Sequence, residues 1–215
     1  MDIRLPLAAI LGAYLAGSIP FGLIVARLTG GADPRSVGSG RTGGTNALRA
    51  LGRRRAAVVA AGDVLKGTLP VIVVRELAGA TGDSAGAWWE IAAALFAVMG
   101  ATRSVWVGFK GGRGIATGFG TALAIAPAAL AGAAPFFFAI IWRTRLVSLG
   151  SITAAAAFAP ILIVSRLTSD AGLDAATAVY AIVGPALVWL AHADNIARLR
   201  AGTERTFDTG MLQRD

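Results

Sequence analysis

The chain contains no cysteine, one histidine and two tyrosines, and charged residues occupy only 15% of its 215 positions. The absence of cysteine excludes disulfides, thiolate metal sites and cysteine nucleophiles. The nucleoside-triphosphate spacing Gly-x4-Gly-Lys-Ser/Thr is missing, and nothing resembles a dinucleotide fingerprint. No convincing internal repeat is present, which counts against a transporter built from duplicated halves. The scarcity of charge excludes most. With 55% hydrophobic residues and a mean hydropathy of +0.66, the chain lies outside the usual range of a soluble domain and reads as an all-α integral membrane protein.

Apolar runs approaching the roughly 20 residues that cross the hydrocarbon recur from end to end. Residues 1–215 therefore read as one polytopic membrane domain. About seven spans are expected, at 5–27, 56–74, 86–102, 115–129, 131–142, 147–165 and 176–193. The first has only Arg4 before it and continues past signal-peptide length into Arg27, so it reads as a retained span rather than a cleaved leader. The fourth and fifth are short and contain Pro127, Gly132 and Pro135, which fits either two tilted helices or one re-entrant hairpin.

The net charge of +8 could suggest nucleic acid, but the basic residues sit in short loops between apolar runs, where topology and anionic lipid explain them better. Placing the loop after the first span in the cytoplasm puts Arg27, Arg35, Arg41, Arg49, Arg53, Arg54 and Arg55 there. By alternation Arg103, Lys110, Arg113, Arg143, Arg145, Arg198, Arg200, Arg205 and Arg214 follow. Only Arg4, Arg75 and Arg166 then face outward, and Lys66 lies within a span. This asymmetry implies an N-terminus outside, a C-terminus in the cytoplasm, and every unusual polar loop on the cytoplasmic face.

Four constellations occupy that face. Residues 33–49 crowd glycines, hydroxyls and cations together. Glycines such as Gly38 and Gly40 let backbone N–H groups approach a ligand, and Ser39, Thr42, Thr45, Asn46 and Arg49 add donors suited to phosphate oxygens. Helix capping and headgroup contact would account for the same residues. The continuation to Arg55 suggests a short interfacial helix with Leu48 and Leu51 turned toward lipid. The second constellation is Asp63 with Lys66, opposite charges on one face of an apolar helix. It fits both a self-neutralising pair that orders the bundle and direct substrate contact. In the third, Lys110, Gly111, Gly112, Arg113 and Gly114 form a glycine-rich turn entering a helix, a second phosphate-sized cradle. In the fourth, His192 and Asn195 share a helix face with Arg198, while Asp194 points elsewhere, toward solvent.

The motifs Gly17-Ser-Ile-Pro20-Phe-Gly22, Asp33-x-Arg-x-x-Gly-Ser-Gly40, Thr45-Asn46-x-x-Arg49-x-x-Gly52, Asp63-x-x-Lys66-Gly67, Phe109-Lys-Gly-Gly-x-Gly-x-Ala-Thr117 and His192-x-x-Asn195-Ile-x-Arg198-Leu-x-x-Gly-Thr-Glu204 run in order through nearly the whole chain. Together they resemble the bacterial acyl-phosphate:glycerol-3-phosphate acyltransferase family. The resemblance implies a multi-pass enzyme of the bacterial cytoplasmic (inner) membrane that makes lysophosphatidic acid for phospholipid synthesis. Its partners would be acyl phosphate, glycerol 3-phosphate and membrane lipid. It implies no metal, no cofactor, and no acyl carrier protein or coenzyme A donor. Ser39, Arg49, His192 and Asn195 then correspond to active-site positions, the third loop to the glycerol-phosphate segment, and Glu204 to a glutamate of structural role. The chain departs from the family pattern at Arg41 (usually Asn), at Arg113 (usually Lys), and at Ala101 and Ser104, where a histidine and a proline usually stand.

An acyl phosphate carries a good leaving group, so such an enzyme mainly has to bind two anions and align a hydroxyl with a carbonyl. Arg49, Lys110, Arg113 and the glycine N–H groups suit the phosphates, and Ser39 and Asn195 suit the orientation of glycerol phosphate. His192 or the substrate's own phosphate can take the proton. Two rival readings stand beside this one. In the first, a transporter or flippase of an anionic lipid or solute uses Asp63 and Lys66 as a gate. In the second, an impaired relative of the acyltransferase binds lipid intermediates.

Overall fold

A computed structural model describes residues 4–170 and 172–207; Arg214 lies outside the described residues. The described residues contain ten α-helices: α1 (Arg4–Ser18), α2 (Phe21–Leu28), α3 (Gly44–Leu51), α4 (Arg53–Thr81), α5 (Gly86–Thr102), α6 (Ile115–Ile125), α7 (Pro127–Thr144), α8 (Val147–Leu167), α9 (Ala175–Ala191) and α10 (Ala193–Arg200). Among the described residues no strand occurs. Helices are what such a composition dictates, because lipid offers no partner to a backbone N–H or C=O and the segment must satisfy its own. Large apolar side chains cover the outside, Trp142 and Leu190 among them, while the interior is built of small residues. That is the inverse of a soluble bundle and the expected arrangement for a protein solvated by hydrocarbon.

The spans differ from the simple expectation in three places. Four helices are long and apolar enough to cross a membrane, and six spans result if each of two bent pairs counts as one. The run expected at 5–27 is one of those pairs: α1 and α2 meet at 48°, broken at Ile19 and Pro20. Pro20 has no N–H to give to the preceding turn; α4, α7, α8 and α9 run through prolines of their own, whereas here the chain breaks. The second span extends to Thr81, well beyond residue 74. The fourth ends at Ile125, and its 11 residues cover only about 16 Å.

Helix α6 is nonetheless held firmly. A Cβ at Gly120 would strike the Val64 carbonyl, and one at Gly67 would strike the Thr117 carbonyl, so α4 and α6 touch backbone to backbone. Thr68 Oγ1 donates to the Gly120 carbonyl at 2.9 Å, across the same contact. At the far end of α6 the Ala124 and Ile125 carbonyls accept from Arg75 and Arg166 at 2.6 and 3.3 Å. Guanidinium groups from α4 and α8 thus supply the donors that the missing helical turns would have supplied. Beside them α6, α8 and α9 form an apolar core around Phe158, Leu162 and Tyr180.

Helix α3 corrects a second expectation. Leu51 is buried and Leu48 half-buried, both packed on Val25, Ala26, Ala56 and Val59 instead of facing lipid. The turn at Gly52 folds α3 back along α4, so its apolar stripe finds protein before it finds membrane.

The break after α1 leaves backbone carbonyls without helical partners. Lys66 Nζ donates to the Ile19 carbonyl at 2.9 Å, and Ser104 Oγ donates to the Ser18 carbonyl at 2.6 Å. Asp63 neutralises Lys66 at 2.6 Å, and both side chains are nearly inaccessible. Removing one partner of a buried pair strands the other charge, at a cost of about 3–5 kcal/mol. Lys66→Met is therefore expected to lower the detergent melting temperature sharply, and Asp63→Leu added to it should recover part of that loss. A double variant no more stable than Lys66→Met would refute this account of the pair.

Candidate functional site

The loop after α2 is drawn into shape by its own side chains. Asp33 accepts from the Arg35 N–H at 2.8 Å and from its guanidinium, starting a single tight turn. Asn46, at the start of α3, then gathers the glycine-rich stretch. Its Nδ2 donates to Ser39 Oγ at 3.1 Å and to the Arg41 carbonyl at 2.9 Å, and its Oδ1 accepts from Arg49 Nη1 at 3.3 Å. Gly38 has φ +58°, and a Cβ there would strike this same Oδ1, which explains why glycine stands at that point. Asn46, expected as a phosphate donor, thus has both amide hydrogens engaged in shaping the loop.

The loop between α5 and α6 corrects the expected second cradle in part. The N–H groups of Gly111 and Gly112 donate to the Thr102 and Ala101 carbonyls at 3.2 and 2.9 Å. They close the end of α5 and are not available to an anion. Lys110 is exposed and lies off the pocket wall, whereas Gly112, Arg113 and Gly114 line it. Arg113 reaches Ser39 Oγ at 3.4 Å and Asp194 at 2.8 Å. Asp194, expected in solvent, is therefore engaged at the site.

The third contribution comes from the second bent pair, α9 and α10, which meet at 63° at His192. The bend aims His192 and Asn195 into the protein, where they are 2% and 3% exposed. His192 Nδ1 lies 2.8 Å from the Val188 carbonyl. A carbonyl can only accept, so Nδ1 carries the hydrogen and the neutral ring is left with Nε2 as an acceptor. Asn195 Nδ2 donates to Glu204 Oε1 at 2.9 Å, and Arg198 Nε donates to Glu204 Oε2 at 3.0 Å. Asn195 Oδ1 has no hydrogen-bond partner among the described residues.

These parts enclose a pocket of about 940 Å³, mouth included, lined by Ser39, Arg41, Thr45, Asn46, Arg49, Asp63, Lys66, Arg113, His192, Asn195, Glu204 and Arg205, among others. Of the expected residues, Gly38, Gly40, Lys110 and Gly111 stand behind or beside this wall. Burial lowers the pKa of Arg49 and of Arg113, with the guanidiniums of Arg205 and Arg41 adding to the effect respectively, while each remains a cation. Half-desolvated cations crowded in this way are strong attractors for an anion.

The sequence reading missed Ser148 and Ser151, which also line the pocket from the start of α8. Ser148 Oγ has no hydrogen-bond partner among the described residues. The available signal was two hydroxyls one helical turn apart at the start of an apolar run, just after Arg143 and Arg145. Ser151, Ile115 and Ala116 are shared with a second, apolar cavity of about 1210 Å³ walled by Phe119, Leu130, Phe137 and Phe158 among others.

A cationic polar pocket sharing part of its wall with an apolar cavity, inside a helical membrane protein, is the arrangement of a membrane enzyme of lipid headgroup chemistry. A family profile described as glycerol-3-phosphate acyltransferase matches residues 7–202. Among its relatives, the glycerol-3-phosphate acyltransferase of Geobacter sulfurreducens is 42% identical over 197 residues, covering 91% of this chain and 94% of the relative. One from a Synechococcus species is 44% identical over 200 residues, covering 92% and 91%. The crystal structure of PlsY (YgiH), an integral membrane glycerol 3-phosphate acyltransferase, in its glycerol 3-phosphate form, superposes with a TM-score of 0.84 at 35% identity, covering 98% of this chain and 99% of that one. Its lysophosphatidic acid form superposes with a TM-score of 0.82. The chain belongs to the glycerol-3-phosphate acyltransferase family.

The pocket's cations make a direct prediction. Inorganic phosphate at about a hundredfold its Kd should stabilise the protein by about 2.7 kcal/mol, read as a rise in melting temperature in detergent. Arg49→Gln and Arg113→Gln should each lose most of that rise. A shift of the same size in both variants would remove these arginines from the anion site.

Proposed function

We propose that the chain transfers a fatty acyl group from acyl phosphate to the sn-1 hydroxyl of glycerol 3-phosphate, releasing lysophosphatidic acid and inorganic phosphate. It does so as one polytopic domain over residues 1–215 of the bacterial inner membrane, with about seven crossings, the N-terminus outside and the pocket and C-terminus on the cytoplasmic side. The carrying observation is the wall shared by the two cavities at Ile115, Ala116 and Ser151. An acyl chain fits the apolar one, with its carboxyl carbon at the shared wall and its phosphate among the arginines.

The chemistry needs little beyond that placement. The glycerol hydroxyl attacks the acyl carbonyl carbon, the carbon–oxygen bond to phosphate breaks, and phosphate leaves as a stable anion. Arg49, Arg113 and Gly112–Gly114 flank the phosphates, with Arg205 at the same wall. Asn195 Oδ1, held by Glu204 through the amide nitrogen, accepts from the glycerol hydroxyls. Nε2 of His192 receives the proton of the attacking hydroxyl. Thr45 and Asn46 shape the wall, and the Asp63–Lys66 pair supports it from below.

Ser39 acts as a positioning donor and not as a nucleophile. Its Oγ accepts from Asn46 and Arg113, which withdraws electron density from the oxygen, and no base among the described residues is placed to take its proton. Transfer is therefore direct; acyl phosphate is the proposed donor, and neither acyl carrier protein nor coenzyme A enters the proposed reaction. Against a transporter or flippase stands the gathering of Ser39, Arg49, Arg113, His192 and Asn195 around one polar pocket.

Purified protein in detergent is expected to form lysophosphatidic acid from acyl phosphate and glycerol 3-phosphate alone, and not from acyl-coenzyme A. His192→Gln should lower kcat by about 10²–10⁴-fold with a far smaller change in KM. A variant with near-wild-type kcat would give the proton to the substrate phosphate instead. Mass spectrometric capture of an acyl ester on Ser39 would overturn direct transfer.

A further inference from the structure

Asp194 stands on α10 at the meeting point of three arginines from three separate parts of the chain. Its Oδ2 lies 2.8 Å from Arg113 Nη2 and 3.4 Å from Arg198 Nη1, and its Oδ1 lies 3.9 Å from Arg41 Nη2. The remaining nitrogen of the Arg113 fork, Nη1, is the one that touches Ser39 Oγ. One guanidinium thus spans from the carboxylate on α10 to the serine of the first polar loop. Arg113 Nε is buried without a partner among the described residues, and the residue itself lines the polar pocket.

We propose that Asp194 is a positioning residue for phosphate binding. It fixes the Arg113 guanidinium against Ser39 and offsets the mutual repulsion of Arg41, Arg113 and Arg198, so that this cation is held at the pocket wall for the phosphate monoester of a substrate. The argument is geometric. Arg113 is the most deeply placed of the three, its side chain only 16% exposed, against 35% for Arg41 and 25% for Arg198. Without the carboxylate, a half-buried guanidinium facing two others would gain by swinging toward water, breaking the Ser39 contact. A lysine at position 113 would not reproduce both contacts, since an ammonium lacks the rigid fork that touches two partners at once.

The inference rests on the proposed chemistry, and the test separates the two. Wild-type turnover of acyl phosphate with glycerol 3-phosphate is the control for the reaction itself. In Asp194→Asn, which keeps shape and removes charge, the KM of one phosphate substrate should rise about tenfold or more, as expected for loss of a charge-assisted contact. The kcat should change less than about threefold. Measuring KM separately for glycerol 3-phosphate and for acyl phosphate tells which phosphate Arg113 holds. In an Arg113→Lys background the same Asp194→Asn change should cost less than about twofold, because the fork it positions is gone. Unchanged KM for both substrates in Asp194→Asn, or losses that multiply in the double variant, would overturn the proposal. Should Asp194→Asn fail to accumulate in membranes, Asp194→Ser is judged by the same KM criterion.

Discussion

The hydrogen bond from Lys66 to the Ile19 carbonyl is the contact on which the architecture depends. A membrane helix can be broken only where something satisfies the backbone groups that the break exposes. Here α1 stops before Pro20, and the chain turns to bring the first polar loop over the bundle. Lys66 from α4 and Ser104 from beyond α5 reach the two carbonyls, and Asp63 makes Lys66 tolerable in a dry place. The Phe21 ring, 5.9 Å from the ammonium, covers the remaining side. Both partners of the ion pair also line the polar pocket. The floor of the site and the break in the first span are thus one construction.

The second bent pair repeats the logic at the opposite end of the chain. A turn at His192 lets α10 run across the bundle and presents His192 and Asn195 from one side of it. The C-terminal stretch then folds back, so that Glu204 locks Asn195 and Arg198, and the Phe207 N–H donates to the Arg145 carbonyl at 2.6 Å. Each polar segment therefore ends on another polar segment and not on lipid. A site rich in arginine needs this interlocking, since neighbouring guanidiniums repel one another and hold still only when carboxylates are interleaved among them.

How much of this was legible in the residues follows from range. The apolar runs and the spacing of His192 with Asn195 are local patterns, and local patterns survive folding. Leu48 and Leu51 were misread because the direction of an amphipathic stripe is visible in a sequence while its partner is not; Gly52 folds them onto protein. Asp194 was misread for a related reason. Helix phase separated it from His192 and Asn195, but two of the three arginines that claim it are 81 and 153 positions away along the chain. The N–H groups of Gly111 and Gly112 looked free because their acceptors, the last carbonyls of α5, seemed already to belong to a helix.

The point at which α6 begins gives the two cavities a common wall. Ile115 follows directly after the Arg113–Gly114 turn, which places the first residues of the helix at the level of the polar pocket. Ile115 and Ala116 therefore face arginines on one side and the apolar cavity on the other. An acyl carbonyl has the same duality, with a hydrocarbon tail behind it and a charged leaving group ahead. In the proposed reaction, a polar–apolar boundary at the first turn of a clamped helix would fix the height of the reacting carbon without any group binding that carbon directly. The close α4–α6 contact and the arginine caps at Ala124 and Ile125 would then serve that reaction as well as the fold, because a helix free to slide along its axis would carry the boundary with it.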